Sequence, residues 1–478
     1  MLDRTGQVER PALFRFLSAT GIHSTMPESV RRLLLPATII LLTACWLGGG
    51  VTADNTAIDE WLQLLALPVL LLAVAALAED GVSPQVGWGI AVAGLILLLP
   101  ILQLLPIGGG TAAPARQMLQ ADLASAGVQA TPHWSLAPFA TEQGLWALLP
   151  ALAAFLAAAA LTGSQRRRLL QAVLVLLAIN VIFAFFQAGL PRDSALRLYQ
   201  DFDAGFGGLL ANTNHQATAC IIGMVLAVGL AAEARLRARS GQTHPHRRWW
   251  YLGLAGFFLL MVPLSTSRAG MAIALPALAI ALLLTGALRL REIGRSRRST
   301  LLAIAVVVLA VVGGHAAMGW MAVDQAEELR HVMAAATLRA GQAQAPLGAG
   351  IGAFVPVFAQ AAPPQLQLAN YVNHAHNEYA QWWLATGWAG MTVLALVLAL
   401  LAVCGWRLVR SEGRSAAMAA GCFAAICAVL AHSWADYPLR TLALMSTTGA
   451  LAGLMLACLA DARSRTFRRD RVAGIGHH

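Results

Sequence analysis

The sequence predicts an all-α, polytopic membrane protein of about twelve transmembrane helices, with one large extramembrane loop between the ninth and tenth. Three observations carry this expectation. Of 478 residues, 58% are hydrophobic and only 12% charged, against roughly 25% charged in a soluble domain, and the mean hydropathy is +0.65. Apolar runs recur at about 18 to 25 residues, the length that crosses roughly 30 Å of hydrocarbon. Strands that alternate apolar and polar residues are missing from the pattern, which argues against an outer-membrane barrel.

The spans are expected at 33–50, 61–79, 86–106, 143–162, 168–190, 207–232, 249–265, 269–288, 300–321, 379–403, 415–433 and 441–460. Residues 1–32 carry Asp3, Glu9 and Glu28 with arginines and no early apolar core, so they read as a cytoplasmic tail and not as a cleaved signal peptide. The remainder divides into a first transmembrane region, 33–206, a second region, 207–460, that includes the loop 322–378, and a cytoplasmic tail, 461–478.

The formal charge is +10, and all 33 basic residues are arginine. Their placement speaks against nucleic acid as a partner. They cluster at 31–32, 166–168, 235–248, 289–298, 407–414 and 463–471. With twelve spans and the N-terminus inside, every cluster falls on one side, the positive-inside signature of a bacterial inner membrane with the bilayer as partner. Only the short turn 80–85, on the same side, lacks positive charge. The six cysteines (Cys45, Cys220, Cys404, Cys422, Cys427, Cys458) lie inside apolar spans, where they act as small hydrophobes, and none falls where a periplasmic disulfide would form.

Two long segments are then periplasmic, 107–142 and the loop. The outside holds few arginines: Arg116, Arg192, Arg197, Arg268, Arg330, Arg339 and Arg440. Positive charge there opposes the topogenic bias, so an arginine at that boundary suggests an anionic ligand. Arg268 follows Ser265-Thr266-Ser267 in a turn that joins two spans with almost no loop. Small residues beside it allow close helix approach. It is either a snorkelling helix-end charge or a phosphate ligand. Arg330 begins an amphipathic helical stretch from Asp324 to about Leu338. Arg339, nine residues on, points to the opposite face and reads as a solvated charge.

The run Gly348-Ala349-Gly350-Ile351-Gly352 has the wrong last spacing for a dinucleotide fingerprint and follows no expected strand. It reads as a tight turn that brings the loop down onto the membrane surface. His374-Ala375-His376-Asn377-Glu378 could ligate a metal. Alternatively, His376 opens the tenth span and acts as a base or clamp near pH 7, or merely caps the helix. Asn212-Thr213-Asn214-His215-Gln216 opens the sixth span with residues that cap backbone donors and can line a cavity for sugar hydroxyls. Asp436 and Arg440, four apart in the turn before the last span, suit a structural or a functional pair alike.

In their order, these pieces resemble the O-antigen ligase family, a membrane glycosyltransferase superfamily that includes O-antigen and exopolysaccharide polymerases. The resemblance covers roughly 200 to 460. It rests on the Asn212-x-Asn214-His215 start and the Ser265-x-Ser267-Arg268-x-Gly270 turn. It continues with Arg330 ahead of the glycine run and Phe354, with His376-Asn377-x-Tyr379, and with Gly387-Trp388-Ala389-Gly390 in the following helix. The segment 113–142, with Trp134-Ser135-Leu136-Ala137-Pro138, also looks like members that handle bacterial surface polysaccharides. Two departures are Thr213 between the asparagines and His374 as a second histidine, which leaves the histidine assignment open within that motif.

The resemblance implies a GT-C-like fold and a metal-independent enzyme without cofactor. The donor would be a glycan on undecaprenyl diphosphate, and the acceptor lipid A-core or a growing polysaccharide. Arg268 and Arg330 would bind the diphosphate, and His376 would be the functional histidine. Asn212, Asn214, His215, His374, Asn377 and Arg440 would line the substrate site. A ligase, a polymerase and a protein-glycosylating transferase remain alternatives within the class. A flippase for a charged lipid is the rival outside it. A flippase would need ionisable residues along mid-span, where almost none occur: His315 lies inside the ninth span and His432 near the end of the eleventh. A purely structural membrane scaffold would leave Arg268 without a task.

Overall fold

The structure is a computed structural model that describes residues 28–52, 57–106, 114–129, 131–191, 193–199, 205–288, 297, 325–366 and 372–475. The expected ninth span, 300–321, lies outside the described residues, as do Arg192, His315, loop residues 322–324 and 367–371, and most of the N-terminal tail. The described residues are helical without strands. Ten helices among them are long and apolar enough to cross a membrane. Each falls on an expected span. The expected span at 269–288 is a shorter apolar helix, Arg268–Leu284.

In chain order the helices are α1 (Leu34–Gly48), α2 (Ala57–Asp80), α3 (Pro84–Gln103), α4 (Pro114–Ser125), α5 (Pro138–Ala147), α6 (Leu149–Ala160), α7 (Gly163–Ala188), α8 (Thr213–Arg239), α9 (Arg247–Met261), α10 (Arg268–Leu284), α11 (Gln325–Ala343), α12 (Phe354–Ala361), α13 (Glu378–Val409), α14 (Arg414–His432) and α15 (Leu442–Ile475). Their starts are chemically marked. Ser83 precedes Pro84 and accepts from Val86 N–H. Thr162 and Gln165 form a capping box at α7, and Asn212, Ser267 and Asn377 cap α8, α10 and α13 through their side chains. Such caps satisfy the first N–H groups, which have no partner within the helix.

Helix α8 is the axis of the bundle: its apolar window is entirely buried, and α7, α9, α10 and α14 pack around it. Lipid offers no hydrophobic drive for two helices to associate, so close packing must supply it. At the α8–α14 crossing Gly229 faces Gly421. A Cβ on Gly229 would lie 2.9 Å from the Ala417 carbonyl oxygen, so only glycine permits this approach.

Helix α13 is one span in extent but not in geometry. Gly387 breaks it, with φ 56° and ψ −147°. The break frees the carbonyls of Leu384 and Ala385, and the glycine run takes them up. Ala349 N–H donates to Leu384 O at 2.7 Å, and Gly350 N–H donates to Ala385 O at 2.9 Å. Gln103, at the end of α3, closes the joint: its Nε2 donates to Ala385 O and its Oε1 accepts from Ile351 N–H, both at 2.9 Å. Trp388 N–H reaches Pro346 O at 3.0 Å. The 133–141 segment seals the other side. There Leu136 N–H donates to Ala349 O at 2.8 Å, and Trp134 Nε1 donates to Leu347 O at 2.8 Å. The glycine run is thus the expected tight turn, but it docks on a broken helix and on the 133–141 segment.

Above this joint α11 runs five residues beyond its expected end near Leu338, to Ala343. Its Met333, Ala336 and Ala340 pack with Phe354 and Phe358 of α12 and with Leu384 in a second, smaller core. Arg339 is exposed, as its position half a turn from Arg330 predicts.

Gly387→Ala is therefore expected to cost about 1–3 kcal/mol, the scale of a non-glycine residue held in such a conformation. A Cβ there would also lie 2.2 Å from Pro346 O. Thermal melting in detergent should show a clear drop for Gly387→Ala and none for Gly94→Ala, where a Cβ meets nothing within 4 Å.

Candidate functional site

At one end of the bundle lies a cavity of about 370 Å³. Its wall is drawn from Gly50, Val51 and Thr52 after α1, from Ala211 to Thr213 and His215 at the start of α8, and from Arg330 of α11. Asn373 and His376 before α13, with Tyr437 and Thr441 before α15, complete it. All are segments that the arginine count assigns to a single side. The wall behind Gly50 is tight: Ala211 N–H donates to Gly50 O at 3.0 Å, and a Cβ on Gly50 would lie 1.8 Å from Leu209 O.

The chemistry gathers around Asp436, which is fully buried. Its Oδ2 accepts from Asn212 Nδ2 at 3.1 Å and from Asn214 Nδ2 at 2.6 Å. Its Oδ1 accepts from Tyr437 N–H at 3.0 Å and lies 3.2 Å from His376 Nδ1. Burial opposes ionisation of this carboxyl. The close contact with His376, with the charge of Arg330 adding to it, outweighs that, and the pKa falls well below the usual carboxylate range. A carboxylate can only accept hydrogen bonds. Asp436 therefore favours a proton on Nδ1 of His376 and leaves the Nε2 lone pair available to the cavity that His376 lines.

His376 is held in place at a cost. Its φ is +49°, a left-handed conformation that costs a non-glycine residue of order 1–3 kcal/mol. The neighbours enforce it: buried Ala375 donates its N–H to Gln381 Oε1 at 3.1 Å, and Glu378 N–H donates to Ser433 O at 2.8 Å. Three histidines surround the Tyr437 ring. His374 lies at 4.4 Å, His376 at 4.8 Å and His215 at 5.1 Å between ring centroids. Burial and the Asp436 charge push the Tyr437 hydroxyl up, so it stays protonated. Burial pushes His374 down to about 3, with Arg440 adding to the shift, so this ring is neutral near pH 7.

The expected residues divide into two groups. Arg330, His376, His374, Asn212, Asn214 and His215 come together in and around the cavity. Asn377 instead caps α13, accepting from Ala380 N–H at 3.0 Å and donating to Trp434 O at 2.8 Å. The helix cap is thus Asn377 and not His376. Arg440 pairs with Glu378 at 3.0 Å rather than with Asp436. The His-x-His-x-Glu run does not converge on one point: His374 Nδ1 meets Gln381 Nε2, His376 meets Asp436 and Glu378 meets Arg440. The left-handed backbone at His376 and the start of α13 at Glu378 break any extended register and turn these side chains to different partners.

Arg268 is half-buried at the first turn of α10. The hydroxyls before it build its turn. Ser265 Oγ donates to Val262 O at 2.6 Å, Ser267 Oγ accepts from Gly270 N–H at 3.0 Å, and Thr266 takes φ +58°. A Cβ on Gly270 would lie 2.5 Å from Ala217 Cβ, so α10 starts within about one turn of His215 on α8. Arg268 therefore stands level with the cavity but is not part of its wall. Tyr437, Asn373 and the Gly50–Thr52 segment line the cavity without being singled out by the sequence, and Asp436 stands out there only as a possible partner of Arg440. Asp436 carries the one available signal, an acid in a short turn at a span end.

Fold and site together define a multi-span helical membrane protein with a polar cavity at one end. Residues 252–395 match the model of the O-antigen ligase family. The matched region carries Arg268, Arg330 and His376 and ends before Asp436, so it is narrower than the 200–460 resemblance. Among curated proteins none matches the chain.

Because folded His374 takes up a proton only near pH 3 while the unfolded residue does so near 6.5, its contribution is fully present above pH 6.5. It is lost progressively as pH falls toward 3. The melting temperature in detergent should fall between pH 6.5 and 4, and fall less steeply in His374→Gln. Equal slopes would remove His374 from the account.

Proposed function

We propose that this protein is an inner-membrane glycosyltransferase of the O-antigen ligase type. It transfers a glycan from an undecaprenyl diphosphate donor to an acceptor hydroxyl at the periplasmic face. The observation that carries this reading is the cavity itself. In a chain whose residues 252–395 match the O-antigen ligase family, the cavity is lined by both Arg330 and a histidine in contact with a buried carboxylate. Its volume lies within the roughly 300–1,000 Å³ of small-molecule sites. That is room for a diphosphate and the sugar next to it, with the polymer and the lipid outside.

In the reaction, the bond between the anomeric carbon and the diphosphate oxygen breaks, and a bond to the acceptor oxygen forms. The acceptor's proton passes to His376 Nε2. Undecaprenyl diphosphate departs with the negative charge, which Arg330 meets from the cavity wall and Arg268 from the first turn of α10. Guanidinium groups suit this role because their fixed fork matches phosphate oxygens. A metal ion and a cofactor have no part in this scheme. Asn212 and Asn214 are tied to Asp436, so they act on the site largely by fixing the carboxylate. His376 as a clamp on the diphosphate is the alternative use of the same geometry.

A polymerase that extends lipid-linked repeat units would use the same donor and arginines with another acceptor, whereas a flippase would need a polar path through the bilayer. His215 and His432 do lie inside helices, but at the cavity end of α8 and α14, where Thr218 Oγ1 meets His432 Nδ1 at 2.7 Å. This placement favours chemistry at one face over transport.

Deletion of the gene separates the acceptors. Unmodified lipid A-core with intact lipid-linked polymer indicates a ligase, and single repeat units indicate a polymerase. Arg268→Ala, Arg330→Ala and His376→Ala should each abolish transfer in protein that inserts normally. The loss for His376→Ala should be on the order of 10²–10⁴-fold, and Asp436→Asn should reproduce most of it. Full activity in Arg268→Ala would remove the diphosphate clamp.

A further inference from the structure

The opposite end of α8 holds a second charged cluster. Glu233 is buried, 18 residues from His215 and so about 27 Å along the helix from the cavity. Four arginines from four helices act on it: Arg167 of α7, Arg237 of α8, Arg247 of α9 and Arg414 of α14. The nearest measured contact is Arg237 Nε at 3.7 Å from Glu233 Oε1, too long for a hydrogen bond. The connection Ser240–His246 adds little: Gln242 meets Arg414 through its side chain and Arg237 through its carbonyl.

Donors therefore outnumber acceptors. Four guanidinium groups carry five N–H donors each, while the cluster supplies one carboxylate and the oxygens of Gln242. Among the described residues, the Nε atoms of Arg167 and Arg237 are buried without an acceptor. Three positive charges remain after Glu233 is counted. The cluster is built with a deficit of negative oxygen.

Its level in the membrane is marked independently. Trp249 and Trp250, at the start of α9, are 60% and 80% exposed, and Trp406 near the end of α13 is 60% exposed. Arg248 stacks over Trp249 at 4.7 Å, and Arg410 over Trp406 at 4.0 Å. Exposed tryptophan paired with arginine on a lipid-facing helix is the arrangement of the headgroup layer.

We propose that the arginine cluster around Glu233, contributed by α7, α8, α9 and α14, binds the phosphate group of an anionic phospholipid headgroup. Phosphate oxygens supply the missing acceptors, and the acyl chains run down the apolar faces beside Trp249 and Trp250. The site is separate from the cavity and does not depend on the transferase reading. A free phosphate shares the chemistry but gains nothing from the tryptophans.

The test uses the full chain in detergent, titrated with phosphatidylglycerol, with phosphatidylcholine and with inorganic phosphate. Thermal melting and native mass spectrometry serve as readouts. Phosphatidylglycerol should raise the melting temperature saturably and remain bound, and phosphatidylcholine should do neither. Arg247→Gln, an exposed side chain whose loss leaves the fold intact, should weaken phosphatidylglycerol binding by roughly fivefold. Arg167→Gln with Arg414→Gln should weaken it further, while Arg339→Gln at the other end should leave it unchanged. An equal effect of inorganic phosphate would overturn a lipid in favour of a soluble anion. Equal binding of both lipids, or unchanged binding in Arg247→Gln and the double variant, would overturn the site.

Discussion

The joint between the broken helix α13 and the glycine run is the constraint on which the rest of the architecture depends. A helix broken within a membrane span leaves carbonyls that lipid cannot solvate, and each unsatisfied group there costs several kcal/mol. Here Leu384 O and Ala385 O are met by Ala349 N–H and Gly350 N–H, with Gln103 sharing the second carbonyl. The same bonds that rescue α13 fix the height and direction of the loop. The rest follows from that placement: the small core beneath α11, the seat of Arg330, and the contact with Trp134 and Leu136. Glycine is obligatory on both sides of the joint, since Gly387 and Gly350 both have positive φ and no space for a Cβ.

The site obeys a related logic with a different currency of interaction. A buried carboxylate is costly unless it is hydrogen-bonded, and Asp436 collects two asparagine amides, a backbone N–H and the approach of His376. The asparagines come from the start of α8, the histidine from the loop, and the carboxylate from the turn before α15. One acid thereby holds three distant parts of the chain in register. It also explains why His376 tolerates a left-handed backbone: the surrounding bonds over-determine it.

The span positions were readable from the sequence because each apolar run reports its own solvent, and the arginine clusters report its direction. Arg330, His376 and the asparagines were readable because polar groups at span ends need partners or ligands. Asp436 was not, because its role is defined by residues 60 and 224 positions away, His376 and Asn212. Its neighbour in sequence, Arg440, suggested a local pair that Glu378 in fact supplies. The break in α13 was also hidden. Gly387 and Gly390 look like small packing residues in an apolar helix, and only the docked loop reveals which one bends.

The order in which these parts are made has a consequence for biogenesis. Asp436 and Tyr437 precede α15, whose first turn is held to the segment after α1, with Ala443 N–H donating to Gly49 O beside the cavity wall. During synthesis the earlier helices can all be in the bilayer while His376 still lacks its carboxylate. The anion that sets its tautomer arrives only with the final hairpin. The pairing of Asp436 with His376 can therefore form only after α13, α14 and the turn that follows them are all in place.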